Sequence, residues 1–156
     1  MPARCDTASR LIAATPATIY QAFATPGALE RWLPPHTMTG TMLHFDFRAG
    51  GSYHMRLTYA DVQQSHGKTS ADADEVKVHL TKLEAERRIE QAITFASEDS
   101  AFAGIMRMIW TFQPQGTRTL VTIQAMDVPA GIHPDDHEAG MNASLANLAR
   151  FVEANH

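Results

Sequence analysis

Histidine and carboxylate side chains near the middle of the sequence have the chemistry for proton transfer or metal binding. His44 and His54 flank Gly50-Gly51 on two segments of alternating polarity. A hairpin centred near residue 49 would make these histidines cross-strand neighbours. Together with Asp46 they could form a proton-transfer or metal site. Alternatively they lie on a solvated outer face, because the apolar residues of the first segment alternate with them and would face the interior.

A second pair of histidines lies near the start of the C-terminal segment. His133 and His137 are four residues apart, a spacing that suits a metal on one helix face, although Pro134 makes His133 a terminal residue. His137 also shares the apolar phase with Met141 and is the preferred polar residue at a pocket rim. Glu138 or Asp136, with Arg107 or Arg56 as partner, could anchor a ligand head group, or the carboxylates could remain solvated and complement the helix dipole.

Methionine and aromatic residues recur on one phase of several alternating segments, and this pattern predicts a pocket for an apolar ligand. Flexible thioethers suit a cavity that adapts to varied ligands. The same residues could instead fill a solid core, since phase alone does not separate the two. No catalytic residue, metal ligand or cofactor is assigned. The predicted pocket lining is Trp32, Phe45, Phe47, Tyr53, Met55, Leu57, Met106, Met108, Trp110, Phe112, His137, Met141 and Leu145.

Two short helices near the N-terminus would hold one end of this pocket. Thr15 and Pro16 predict a helix start, with Thr15 as the N-cap and Pro16 at the first helical position. A weak strand at 7–14 precedes it. A second helix, at 28–33, carries Trp32, which would lock the helix pair to the sheet mouth or form a lid over the pocket.

Alternating polarity then predicts a run of antiparallel strands, with Leu43 and its alternate neighbours facing inward. Residues 61–74 and 97–103 are predicted loops. A helix over about 134–154 ends the chain. Segregated strands and helices indicate an α+β fold. The predicted strands are 41–48, 53–59, 75–83, 88–95, 104–113 and 118–128, and the inward stripe of the last helix is Met141, Leu145, Leu148 and Val152.

Length and composition limit the classes of function. The 156 residues fit a single domain, 1–156, and the net charge of −4 comes without a basic stripe for nucleic acid or anionic membrane. The N-terminus has no apolar signal-peptide core, so a cytoplasmic location is expected. Cys5 is the only cysteine, which excludes an intramolecular disulfide, and its terminal position predicts a frayed, inert thiol.

Several motifs together resemble one known family over roughly Ser9 to Val152. The motifs are Thr15–Phe23, Pro26–Pro35, Met38–Gly40, Phe45-Asp46, Gly50–Tyr53, Trp110–Phe112 and Gly140–Leu148. Their ensemble is similar to the SRPBCC superfamily (START/Bet v 1-like, helix-grip) and, more narrowly, to bacterial AHSA1-type proteins related to the C-terminal domain of the activator of Hsp90 ATPase.

The resemblance implies a seven-stranded antiparallel sheet that grips the C-terminal helix, with a cavity between them. It also implies no universal catalytic residue, because members bind lipids, polyketides, hormones or other apolar molecules and a few catalyse cyclisation or hydrolysis. The Hsp90 role of the eukaryotic relative depends on an additional N-terminal domain for which this chain has no room. Direct Hsp90 binding is therefore not expected.

Three functions follow as hypotheses. The leading one is non-enzymatic binding of an apolar or amphipathic small molecule in the cavity. The second is a cyclase or hydrolase that uses His137 or a pocket carboxylate as general acid or base. The third is a stress-related, co-chaperone-like interaction module, suggested by Ile105 and Ile109 on the outer face of a strand, a patch that could equally form a homodimer.

Overall fold

The computed structural model describes residues 5–34, 38–59, 73–95 and 104–154. These residues form seven strands and three helices and confirm the predicted α+β helix-grip fold. The elements are β1 (Cys5–Ile12), α1 (Pro16–Ala24), α2 (Pro26–Trp32), β2 (Met38–Asp46), β3 (Ser52–Tyr59), β4 (Ala73–Glu84), β5 (Arg88–Phe95), β6 (Met106–Gln115), β7 (Arg118–Met126) and α3 (Pro134–Ala154).

The strands form one curved antiparallel sheet in the order β1-β7-β6-β5-β4-β3-β2. Strands β2 to β7 follow each other as neighbours, which is the arrangement that successive hairpins produce. The first strand returns to pair with the last, so β1 and β2 are the two edges. Of the predicted loops, 97–103 lies outside the described residues, and 61–74 lies outside them except for the two residues that begin β4.

The two short helices begin where local chemistry predicts. The Thr15 side chain accepts a hydrogen bond from the Thr18 backbone N–H at 3.2 Å, and Pro16 occupies the first helical turn. Thr25 has an extended backbone between the helices. The following Pro26 needs no hydrogen-bond partner at a helix start, so α2 begins there, two residues before the predicted position.

Strand β1 begins at Cys5, two residues before the predicted start, because its backbone pairs with β7 from Cys5 opposite Met126 onward. Cys5 therefore lies in a paired strand, and the prediction of a frayed terminus at this residue was wrong. Asp6 lies opposite Ala125, which is fully buried. Opposed residues of antiparallel strands share a face, so Asp6 lies on the concave side.

A β-bulge in β2 changes the predicted phase of that strand. Met42 pairs with Met55 and His44 pairs with His54, so the register skips Leu43. The extra residue turns outward, and Leu43 is 50% exposed, whereas Met42 packs against the core. The prediction that Leu43 faces inward was therefore wrong.

Helix α3 lies across the concave face of the sheet and is anchored along its length. Asn147 donates a side-chain hydrogen bond to the Pro34 carbonyl at 3.3 Å, and the Ala13 backbone N–H donates to Glu153 at 3.0 Å. No described helix is long and apolar enough to cross a membrane. The residues of the predicted inward stripe, Met141, Leu145, Leu148 and Val152, are all buried.

Candidate functional site

A cavity of about 690 Å³ lies between the concave face of the sheet and the first half of α3, and it is partly open to solvent. This volume is within the range of roughly 300–1,000 Å³ that small-molecule pockets occupy. Strands β3 to β7 form one wall, and α3, with the segment just before it, forms the other. The residues of this second wall are Gly131, Ile132, His133, Asp136, His137, Gly140, Met141 and Ser144. From the predicted lining, the structure places Tyr53, Leu57, Met106, Met108, Trp110, His137 and Met141 on this cavity.

The remaining residues of the predicted lining pack elsewhere in the core. Met55, Phe112 and Leu145 are buried behind the cavity wall. Phe45 and Phe47 stack on each other at 6.1 Å, and Phe47 packs edge-on against Tyr20 of α1 at 5.6 Å. These residues have the expected inward phase, but phase does not distinguish a cavity wall from a filled part of the core. These residues of the predicted lining are therefore not part of the described cavity wall.

An aromatic cluster closes the inner end of the cavity. The Phe23 ring packs edge-on against Trp32 at 5.0 Å and against Trp110 at 4.9 Å. Trp32 is 1% exposed and donates its indole N–H to the Ala22 carbonyl at 2.9 Å. Trp32 therefore locks α2 against α1 behind the wall, and it is Phe23 and Trp110 that face the cavity.

Gln91 is a polar wall residue that the predicted lining omitted. It is 5% exposed, and its side-chain oxygen accepts a hydrogen bond from the Trp110 indole N–H at 3.3 Å. The sequence signal was present, since Gln91 lies on the apolar phase of its strand between Ile89 and Ile93. A polar residue in that position must find a hydrogen-bond partner when buried.

Tyr53 also faces the cavity and is hydrogen-bonded to Gln91. Burial raises the pKa of the Tyr53 hydroxyl well above its usual range, and the hydrogen bond from Gln91 opposes that increase. The phenol therefore stays protonated at any physiological pH. The wall thus carries a neutral hydroxyl with a fixed neighbour.

An aspartate–histidine pair lies at the α3 side of the cavity. His137 Nδ1 is 2.7 Å from Asp6 Oδ2, and both side chains are almost buried, at 12% and 11% exposure. The pair joins the start of α3 to edge strand β1. Because Asp6 occupies Nδ1, Nε2 is the ring nitrogen left for other contacts, and His137 is one of the cavity residues. The role of Asp6 was missed, because no pattern in the sequence places this residue beside α3.

His133 is a further histidine on the cavity wall, and its Nδ1 accepts the Asp135 backbone N–H at 3.3 Å and caps α3. His44 and His54 are cross-strand neighbours as predicted. His54 alternates with buried residues, so it lies on the convex face, 2.9 Å from Glu75. Asp46, the third member of the predicted group, is paired with its neighbour Arg48. The described residues contain no group of three or more side chains placed to hold a metal ion.

The apolar patch predicted from Ile105 and Ile109 is less exposed than the sequence suggested, and Ile105 lies just before β6 rather than in it. Ile109 is only 6% exposed, whereas Ile105 is 57% exposed. Ile109 lies between Glu90 of β5 and Gln124 of β7 in the register. Of the two isoleucines on which an interaction surface or a homodimer was predicted, Ile105 alone remains accessible.

A curved antiparallel sheet wrapped on one long C-terminal helix, with an apolar cavity between them, defines a helix-grip protein. Residues 13–153 match the family described as "Activator of Hsp90 ATPase homolog 1-like protein", and the chain belongs to this family. The match confirms the resemblance drawn from the sequence. A search of curated proteins gives no match.

Solved structures share the fold across the whole chain. A protein from Chromobacterium violaceum is 28% identical, with a TM-score of 0.82 over 97% of this chain and 99% of that chain. A protein from Arthrobacter aurescens is 20% identical, with a TM-score of 0.80 over 97% and 87%. A protein from Staphylococcus epidermidis is 20% identical, with a TM-score of 0.78 over 100% and 93%. The likeness to the last two supports the fold alone.

Proposed function

We propose that this protein binds an apolar or amphipathic small molecule in the cavity between the sheet and α3. The observation that carries the proposal is the cavity itself, with its volume of about 690 Å³ and its predominantly apolar wall. Because the cavity is partly open to solvent, its apolar wall is in contact with water, which is unfavourable. A ligand would cover that wall.

Apolar contact would provide most of the affinity. Each 100 Å² of apolar surface removed from water contributes about 2.5 kcal/mol before the costs of association. Methionine side chains on the β6 part of the wall adapt to different ligand shapes, which favours a broad range of ligands. The polar groups on the wall are few, as expected for a site whose polar contacts orient a ligand.

Gly140 offers a direct test of the cavity as the binding site. This helical glycine belongs to the cavity wall, and a Cβ added to it meets no atom within 4 Å. A phenylalanine there would extend into the open space, whereas an alanine would leave most of it free. The matched variants are therefore Gly140→Phe and Gly140→Ala.

The experiment measures the fluorescence of the neutral apolar dye N-phenylnaphthylamine during titration with each protein. Wild type and Gly140→Ala should bind the dye and enhance its emission, and Gly140→Phe should lose at least tenfold in affinity while its circular dichroism spectrum stays unchanged. Native mass spectrometry after gentle purification gives a second readout of bound small molecules. Absence of dye binding to the wild type, or equal binding by a folded Gly140→Phe variant, would refute the proposal.

The Asp6–His137 pair favours a second candidate, an enzyme of cyclase or hydrolase type. A carboxylate on Nδ1 fixes the imidazole and supports Nε2 as a general base, as in other aspartate–histidine pairs. Hydrolysis of a chromogenic butyrate ester tests this candidate in wild type, His137→Ala and the control His44→Ala. Activity that disappears only in His137→Ala supports it, and equal rates in all three proteins count against it.

A further inference from the structure

Three polar side chains meet on the wall of the cavity. Tyr53 lies on β3, Gln91 on β5 and Trp110 on β6, and each is at most 5% exposed. The register brings them together on the concave face, because Tyr53 is opposite Val78, which is opposite Ile93, two residues after Gln91. A chain of hydrogen bonds therefore crosses the wall from Trp110 through Gln91 to Tyr53.

The chemistry of the three groups sets the direction of these hydrogen bonds. An indole N–H can only donate, so the Gln91 atom that faces Trp110 is the oxygen. The amide NH₂ group is then the part of Gln91 available to the Tyr53 hydroxyl. The Gln91 hydrogen bond acts to lower the Tyr53 pKa, which is the effect of a donor on a phenol oxygen. Gln91 donates to Tyr53, and the Tyr53 proton points elsewhere.

We propose that the Tyr53 hydroxyl is the polar anchor of the cavity and donates a hydrogen bond to an uncharged carbonyl oxygen of an otherwise apolar ligand. The inference rests on the proposed function of the same cavity, and it narrows the ligand class to neutral ketones, esters and amides. Trp110 and Gln91 act as positioning residues, because they hold the phenol oxygen and leave its proton for the ligand.

Charge around the cavity argues against an anionic ligand. None of the residues on the described cavity wall is a lysine or an arginine. Two histidines lie on the wall: His137 is paired with Asp6, and His133 accepts the Asp135 backbone N–H on Nδ1. The positive end of the α3 dipole is met by Asp135 and Asp136, and Asp136 is itself a wall residue. A buried carboxylate without a counter-charge is strongly disfavoured. The same low polarity keeps Tyr53 protonated.

The experiment compares two neutral dyes. Prodan carries a ketone whose emission shifts to the red on accepting a hydrogen bond, and N-phenylnaphthylamine has no carbonyl. Removing the hydroxyl in Tyr53→Phe should weaken prodan binding about five- to tenfold, the value of one hydrogen bond of about 1–1.4 kcal/mol. The emission of bound prodan should also shift to the blue, and the affinity for N-phenylnaphthylamine should stay within twofold.

Tyr20→Phe is the matched control, because Tyr20 packs against Phe47 and lies outside the described cavity wall. This substitution should change the binding of neither dye. Unchanged prodan affinity and emission in Tyr53→Phe, with N-phenylnaphthylamine still bound, overturns the anchor and leaves the proposed function intact. Failure of N-phenylnaphthylamine to bind the wild type overturns the proposed function itself.

The sulfonated analogue of the second dye tests the charge argument. Anilinonaphthalene sulfonate should displace bound N-phenylnaphthylamine with an affinity at least tenfold lower than that of the neutral dye. Competition at equal or greater affinity would show that the cavity accepts an anion and would overturn the restriction to neutral ligands. Gln91→Met adds a readout for the positioning role. It should reduce the red shift of bound prodan, whereas its effect on the affinity for N-phenylnaphthylamine should be small.

Discussion

Replacing Gly140 by alanine should make the protein more stable. Gly140 is an interior residue of the 21-residue helix α3, where glycine is less favourable than alanine by about 0.8–1.0 kcal/mol. The added methyl group meets no atom within 4 Å, so no steric cost offsets this gain. The free energy of unfolding should therefore rise by about 1 kcal/mol, which corresponds to an increase in Tm of roughly 2–4 °C for a domain of this size.

Urea unfolding followed by circular dichroism measures this change. Gly27→Ala is the comparison, because its Cβ is also unobstructed but it lies in the first turn of the short helix α2, where the gain should be smaller. A loss of stability in Gly140→Ala, with the fold retained, would refute the reasoning. The expected gain would mean that glycine at position 140 lowers the stability of the protein. In return, the absence of a side chain there leaves the cavity open.

Two further substitutions test the packing around the site. Leu148→Ala removes a side chain that is fully buried between α3 and the sheet, and it should lower the free energy of unfolding by about 2.7–5 kcal/mol in urea; a loss below 1 kcal/mol would contradict the burial of Leu148. Gly51→Ala would place a Cβ in steric conflict with the Asp46 carbonyl oxygen, so the hairpin between β2 and β3 must distort and Tm should fall in calorimetry. Ala49→Gly, at an exposed position of the same turn, serves as its control and should have a much smaller effect.

Local patterns in the sequence were sufficient for the architecture. Alternating polarity identified β2 to β7, because a strand with one buried face must place apolar residues at every second position. The spacing of Met141, Leu145, Leu148 and Val152 identified the buried face of α3 for the corresponding helical reason. The family motifs then supplied the strand count. These features depend on neighbours along the chain, so the sequence alone determined them.

The candidate site depended on contacts that periodicity does not encode. The bulge at Leu43 shifted one strand by a residue, and pairing of β1 with β7 brought Asp6 to His137, more than a hundred residues along the chain. Gln91 could be recognised as a polar residue on an apolar phase, but its partners come from β3 and β6. Tertiary structure alone decided which inward-facing residues line a cavity and which fill the core. The difference depends on the separation between α3 and the sheet at each residue, which periodicity does not encode.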